Sequence, residues 1–171
     1  MDDQYGPGAE ERSSICASFL AKLGRTPDKA RRRAILSACA KLRSPWVDEL
    51  LWEALADPNE VVRDFVAGEL GRRQPLALDH ALRRLRMPPW FAKSAALRII
   101  GRLRVREALP EIRRAVDDAN ADVRRAAAEA LSEIGGEEAL RLLVRLKKDE
   151  SPYVRAAAEG AIRKASGVRF S

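Results

Sequence analysis

The chain has 171 residues, 46% of them hydrophobic and 33% charged, which suits one soluble domain with a substantial core and excludes a disordered polypeptide. Only 5% of the residues are aromatic, while Ala and Leu are abundant, a balance that favours helices over sheets. The net charge of +7 makes acidic partners plausible, nucleic acid among them.

The N-terminal stretch MDDQYGPGAEER is acidic and contains Gly and Pro, and the chain has no run of about 18 apolar residues. We therefore expect a cytoplasmic protein with no membrane span. Residues 1–9 are predicted to form a flexible N-terminal tail, and residues 167–171 a short C-terminal tail.

The sequence predicts neither a metal site nor a cofactor. Cys16 and Cys39 lie on predicted helical faces without CxxC spacing, and His80 is the one histidine of the chain. Buried thiols are the favoured interpretation of the two cysteines, with a disulfide or a metal site as remote alternatives.

A segment built around one basic residue recurs five times along the chain. In chain order the copies read TPDKARRRAILSACAKLR, DPNEVVRDFVAGELGRR, MPPWFAKSAALRIIGRLR, DANADVRRAAAEALSEIG and DESPYVRAAAEGAIRKAS. Their basic anchors are Arg32, Arg63, Lys93, Arg124 and Arg155, at spacings of 31, 30, 31 and 31 residues. The fourth copy shows helical periodicity, because small or apolar residues lie three, four, seven and ten positions after its anchor.

Another amphipathic segment precedes each copy: SSICASFLAKLG, PWVDELLWEALA, LALDHALRRLRM, REALPEIRRAVD and EEALRLLVRLKK. Each unit is thus predicted to be a helical hairpin, and a lone hairpin cannot bury both of its apolar faces. We expect one all-α domain over residues 10–166, a right-handed α-α superhelix or solenoid, with repeats at about 10–43, 44–74, 75–105, 106–135 and 136–166.

The pattern D-x-x-x-x-V-R-x-x-A-A-x-A-L-x-x-I-G, seen from Asp118 to Gly135 and more loosely from Asp57 and Asp149, resembles the HEAT-like repeats of phycobilisome-lyase type. The resemblance covers roughly residues 10–166. It implies the fold strongly and the function weakly, since such repeats occur in scaffolds, chromophore lyases, a metal-dependent hydroxylase and DNA glycosylases.

Three aspartates precede three of the anchors by six positions; the pairs are Asp57 and Arg63, Asp118 and Arg124, and Asp149 and Arg155. In the favoured interpretation, the Asp caps the second helix of its hairpin and the Arg connects adjacent turns. The resemblance to HEAT-like repeats implies such a structural ladder. The alternative is a row of charges that binds a ligand.

Gly71 and Gly101 occupy the same repeat position, eight residues after the anchor. Glycine within a helix costs about 1 kcal/mol relative to alanine. Close approach of neighbouring helices is the favoured reason for its presence, and a smooth binding groove is the alternative.

The third repeat departs from the pattern. Met87 replaces the aspartate, two prolines follow, and Trp90 and Phe91 stand where other copies carry mostly small or polar residues. These aromatic side chains are predicted to close the hairpin as a hydrophobic staple, to stack on a base, or to anchor a partner protein. From Arg72 to Arg106 the sequence holds ten basic residues and one acidic residue, which predicts a basic patch.

The position nine residues after each anchor is expected to be exposed on the concave face of a solenoid. It holds Lys41, Arg72, Arg102, Glu133 and Lys164, and Arg98 lies one turn before Arg102. Stacked helices would place these cations at a spacing of about 8–10 Å, suited to an acidic chain. The alternative is an ordinary exposed face that is rich in arginine.

No nucleophile elbow, phosphate-cradling loop or metal-spaced cluster occurs in the sequence. The favoured hypothesis is a non-enzymatic, monomeric scaffold that binds an acidic protein segment through its concave face and the basic patch. Nucleic-acid binding is the alternative. Glycosylase activity is remote, because Trp90 and Phe91 are not accompanied by a concave aspartate.

Overall fold

A computed structural model describes residues 9–42 and 44–165 of the chain. Its α-helices are α1 (Ala9–Gly24), α2 (Lys29–Ala40), α3 (Pro45–Ala54), α4 (Glu60–Arg72), α5 (Leu78–Arg86), α6 (Trp90–Arg102), α7 (Leu109–Ala115), α8 (Ala121–Ile134), α9 (Glu137–Leu146) and α10 (Pro152–Ala165). A short 3₁₀ turn at Arg106–Ala108 precedes α7. No strand occurs in these residues, and the predicted all-α fold of five HEAT-like hairpins is confirmed.

The predicted tails lie outside the described residues, except for Ala9, which begins α1. None of the described helices combines the length and the apolar character that crossing a membrane requires. Neither cysteine forms a disulfide. Cys16 is buried, whereas Cys39 is only partly buried, so the expectation of two buried thiols is correct for Cys16 alone.

Two compact units divide the chain between His80 and Ala81, within α5. In the first unit, α1 packs against α3, α2 packs against α4, and α3 and α4 pack against each other. The largest side chain of its core belongs to Trp52, which is 1% exposed, and leucines such as Leu36, Leu50 and Leu55 are also fully buried. Trp52 is therefore a core residue.

In the second unit, α8 is the central helix. Both α6 and α10 pack against it, and α7 and α9 contact it as well. Half of its eight buried residues are alanines, Ala126, Ala127 and Ala130 among them, and these small side chains let the neighbouring helices approach closely. Helix α6 contributes larger core side chains, such as Leu97 and Ile100.

Close approach of α6 and α8 explains one of the two matching glycines. A Cβ atom added to Gly101 would lie 2.7 Å from the Cα atom of Ala130, a separation that atoms in the two backbones cannot tolerate without moving. A Cβ atom added to Gly71 would have no atom within 4 Å. The packing reason thus applies to Gly101 and not to Gly71.

We predict that Gly101→Ala lowers the free energy of unfolding by about 1–3 kcal/mol, because the added methyl group forces α6 away from α8. Gly71→Ala is the matched control and should leave stability unchanged or slightly higher, because alanine has the greater helix propensity. Urea denaturation followed by circular dichroism measures both. Equal effects of the two substitutions would contradict the packing explanation.

Candidate functional site

The basic anchors connect consecutive hairpin turns. Arg124 binds the carboxylate of Asp149 with two donors, Nε at 2.8 Å and Nη2 at 3.0 Å. Its remaining nitrogen, Nη1, donates to the carbonyl oxygens of Asp118 and Ala119 in its own turn. The guanidinium group therefore holds its own turn and the next one together.

Two other anchors, Arg32 and Lys93, also bind the aspartate of the next hairpin turn. Arg32 binds Asp57 at 2.8 and 3.0 Å and donates to the carbonyl oxygens of Thr26 and Pro27. Lys93 takes the place of arginine in the third repeat and binds Asp118 at 2.8 Å. Each of these pairs joins an anchor to the aspartate 25 residues later, so the ladder does not pair an aspartate with the arginine six residues after it.

Arg63 and Arg155 make the contacts within their own turns. Arg63 Nη1 donates to the carbonyl oxygens of Asp57 and Pro58, and Arg155 Nη1 donates to those of Asp149 and Glu150. The six-residue spacing therefore places each arginine within hydrogen-bond distance of the carbonyl oxygens in the turn that contains the aspartate.

Asp57 and Asp118 do not cap the helices that follow them, which differs from our expectation. Asn59 and Asn120 are the N-cap residues of α4 and α8. Asp57 and Asp118 each accept a hydrogen bond from the backbone N–H of that asparagine, at 2.8 and 2.9 Å. The aspartate thus orders the turn, and the asparagine two residues later begins the helix.

Charge pairing keeps Asp118 and Asp149 ionised. The hydrogen bonds from Arg124 lower the pKa of Asp149 although burial raises it. Burial is the largest influence on the pKa of Asp118 and raises it. The hydrogen bonds from Lys93 and the backbone of Asn120, with the charges of Lys93 and Arg124, outweigh burial, so that this pKa is also lowered. Both carboxylates therefore stabilise the fold in their charged form.

At least half of the predicted basic patch is compensated by carboxylates from other segments. Five of its ten cations bind carboxylates from outside residues 72–106; the pairs are Arg72–Glu69, Arg73–Asp48, Arg86–Glu111, Lys93–Asp118 and Arg98–Glu129. Glu111 is 6% exposed, and the hydrogen bond from Arg86 lowers its pKa. A count of charges along the chain therefore overstates the positive charge of this surface.

A groove runs across the second helices of the second unit. Its volume is about 400 Å³, and residues of α6, α8 and α10 line it. Small residues form much of this lining: Gly101, Ala130, Ser132, Ala157, Gly160 and Ala161. We call it the α6–α8–α10 groove.

Five charged side chains also line the α6–α8–α10 groove: Arg98, Arg102, Glu129, Glu133 and Lys164. Arg98 on α6 binds Glu129 on α8 at 3.3 Å, and Lys164 on α10 binds Glu133 on α8 at 2.6 Å. The hydrogen bond from Lys164 lowers the pKa of Glu133. The structure thus places three of the predicted binding residues and two carboxylates in one groove.

Arg102 differs from the other groove cations. Its side chain is exposed at the end of α6, and it forms no ion pair with any residue that the structure describes. A guanidinium group in this state can bind an incoming carboxylate or phosphate without first giving up a partner. Arg102 is therefore the groove residue best suited to bind an anionic group.

The other predicted binding residues lie elsewhere. Lys41 follows α2 as its C-cap residue, and Arg72 ends α4, where it binds Glu69 on its own helix. Both belong to the first unit. They are exposed, but they do not line the α6–α8–α10 groove.

Trp90 and Phe91 begin α6, with ring centroids 5.7 Å apart. Trp90 is 45% exposed, and Phe91 is half-buried. Eight residues of helix, about 12 Å, separate Trp90 from Arg98 along the axis. Neither aromatic side chain lines the α6–α8–α10 groove, so the aromatic residues and the groove cations form two separate features.

Glu129 is the groove residue that the sequence reading missed. It lies 31 residues after Arg98, just as Lys164 lies 31 residues after Glu133. A comparison of equal repeat positions for opposite charges would have found both pairs, because stacked repeats place equal positions side by side.

Comparisons with known proteins agree with this architecture. The sequence profile of the family described as HEAT repeats matches residues 78–163. No curated protein matches the chain. Among solved structures, the complex of CpcE and CpcF of phycocyanin lyase from Nostoc sp. PCC7120 is similar, with a TM-score of 0.58 and 20% sequence identity over 97% of this chain and 68% of that chain. That likeness shows the fold alone, and the predicted resemblance to HEAT-like repeats of phycobilisome-lyase type is confirmed.

We predict that Asp149→Asn lowers the free energy of unfolding at pH 7 by about 3 kcal/mol, because it leaves the buried guanidinium of Arg124 without its bidentate partner. The pKa of Asp149 is lowered below its ordinary value near 3.8. The pair therefore stabilises the native state fully above that value and less as the pH falls through the lowered pKa. Urea denaturation from about pH 7 to pH 2 should show the difference between the two proteins shrinking in acid.

The matched control for this prediction is Glu137→Gln, which removes an ion pair with Arg141 in which both side chains are exposed. This substitution should change stability little at any pH. A difference between Asp149→Asn and the original protein that stays constant down to pH 2 would contradict the assigned role of the charged carboxylate.

Proposed function

Since this chain belongs to the HEAT-repeat family, we propose that it is a protein-interaction module whose α6–α8–α10 groove binds a segment of a partner protein. The observation that carries the proposal is Arg102, an exposed arginine without an ion pair among the described residues, at the edge of a groove with a small-residue lining. Small side chains let a partner come close to the helices. Arg102 supplies the charge that orients an acidic residue of the partner.

The carboxylates of the groove favour a protein partner over nucleic acid. Glu129 and Glu133 lie between the cations of α6 and Lys164 of α10. A nucleic-acid backbone carries a negative charge at every nucleotide. It would place phosphates close to both glutamates, and these like charges would repel each other. A protein segment can alternate its charges and meet each glutamate with a cation.

The similar solved structure is itself a complex of two proteins, CpcE and CpcF. This agrees with a role in protein assembly. We extend the proposal only to a partner protein that offers an acidic residue to Arg102, with binding rather than catalysis as the activity.

Loss of the partner on reversing one charge tests the proposal. We expect the immobilised protein to capture a partner from an extract of its native cells, and Arg102→Glu to abolish that capture. Arg113→Glu is the matched control, because Arg113 is an exposed arginine of α7 outside the groove. Quantitative mass spectrometry of the bound fractions, with and without nuclease, measures the effect. A partner that Arg102→Glu retains, or that nuclease releases, would overturn the proposal.

Neutralising the groove carboxylates tests the discrimination against nucleic acid. We predict that the double variant Glu129→Gln, Glu133→Gln binds a fluorescent oligothymidylate more tightly than the original protein and with steeper salt dependence, because phosphates then meet cations only. Glu137→Gln, Glu138→Gln removes the same charge from α9, outside the groove, and should bind like the original protein. Fluorescence anisotropy at two salt concentrations measures all three. An equal increase in oligothymidylate affinity in both double variants would show that net charge alone controls binding.

A further inference from the structure

The charges of the α6–α8–α10 groove follow a fixed order across the three helices. Arg98 and Arg102 on α6 are positive, Glu129 and Glu133 on α8 are negative, and Lys164 on α10 is positive. We infer that the partner segment is an amphipathic helix that presents an acidic, a basic and an acidic residue, in this order, to α6, α8 and α10. This inference rests on the proposed function and specifies its ligand.

The ion pairs that cross the groove can exchange their partners. The side chains of Arg98 and Glu129 are 42% and 40% exposed, and those of Lys164 and Glu133 are 61% and 38% exposed. Exposed ion pairs contribute little to stability, because water and salt screen them. An incoming helix can therefore form ion pairs with these side chains in place of their present partners. The fold stays intact, because the buried ladder stabilises it without these exposed pairs.

Spacing selects a helix as the form of the partner segment. Packed helices lie about 8–10 Å apart, and residues seven apart on a helix lie about 10.5 Å apart on nearly the same face. A helix with charges at positions one, eight and fifteen thus meets three successive helices. An extended segment matches less well, because its same-side residues repeat at about 6.6 Å or 13 Å.

The small lining of the groove allows such a helix to approach. Gly160 has open space where a side chain would begin, since an added Cβ atom would meet only Arg163 Nη2, at 4.0 Å. Ala157 and Ala161 flank it on α10. Long side chains at these positions would hold a partner helix out of reach of Glu133.

Three designed peptides test the charge order. Each is an alanine-based helix of about 22 residues with three charged residues at seven-residue spacing on one face. The first carries Glu, Lys and Glu, the second Lys, Glu and Lys, and the third three Glu. Compensating charges on the opposite face give all three the same net charge, so that overall attraction to the basic protein does not distinguish them.

We predict that the full-length protein binds the Glu-Lys-Glu peptide at least about ten-fold more tightly than either other peptide, because like charges brought face to face oppose binding. Fluorescence anisotropy of the labelled peptides measures the affinities. The inverted variant Arg102→Glu, Glu133→Lys, Lys164→Glu should instead prefer the Lys-Glu-Lys peptide, and its circular dichroism spectrum controls for folding. Arg113→Glu should keep the original preference.

Other outcomes would overturn the inference in different ways. Equal affinity for the first and third peptides would mean that Glu129 and Glu133 do not select the partner. Equal affinity for the first and second, or no binding of any peptide, would mean that the groove does not recognise this order of charges. If capture of a cellular partner still depends on Arg102, the proposed function stands without the charge order. If that capture also fails, both are wrong.

Discussion

A buried arginine that binds two turns at once is the interaction on which the rest of the second unit depends. The side chains of Arg124 and Asp149 are each only 8% exposed. Burying such a pair is favourable only if every donor finds an acceptor. Arg124 meets this requirement, because all three nitrogens donate to the carboxylate or to the carbonyl oxygens of its own turn.

This pairing fixes the register of the helices that follow the turns. With the turns before α8 and α10 joined, equal repeat positions lie beside each other, and Glu133 on α8 meets Lys164 on α10. The groove is thus a consequence of the ladder. A slip of one residue between hairpins would break the buried pairs and separate the charges of the groove at the same time.

Local sequence features predicted the helices well, because each helix depends on neighbouring residues. The 31-residue period and the apolar periodicity located the paired helices, and the described bounds agree with the amphipathic segments. The partner of each ladder aspartate was not predictable in this way. Asp149 precedes Arg155 by six residues but binds Arg124, because the offset of stacked hairpins, and not the local spacing, decides which groups meet.

The surface charge, like the ion-pair partners, could not be predicted from neighbouring residues in the sequence. Along the chain, residues 72–106 hold ten basic residues and one acidic residue, yet carboxylates from other segments, such as Asp48, Glu111 and Asp118, bind several of these cations. A window of consecutive residues does not correspond to a surface in a repeat protein. Neighbours in space lie about one repeat apart in sequence, so charges must be compared between equal positions of successive repeats.

Repeat positions differ in how freely they vary within the chain, and burial explains the difference. The ladder position is basic in all five copies, and the two anchor arginines that bind an aspartate two-fold, Arg32 and Arg124, are each 7% exposed. Losing such a partner removes the bidentate compensation of a buried charge. The position nine residues after the anchor changes from lysine to arginine to glutamate, and substitutions at an exposed position cost little stability. Stability therefore constrains the ladder, whereas the exposed position nine residues after the anchor is free to carry a charge of either sign.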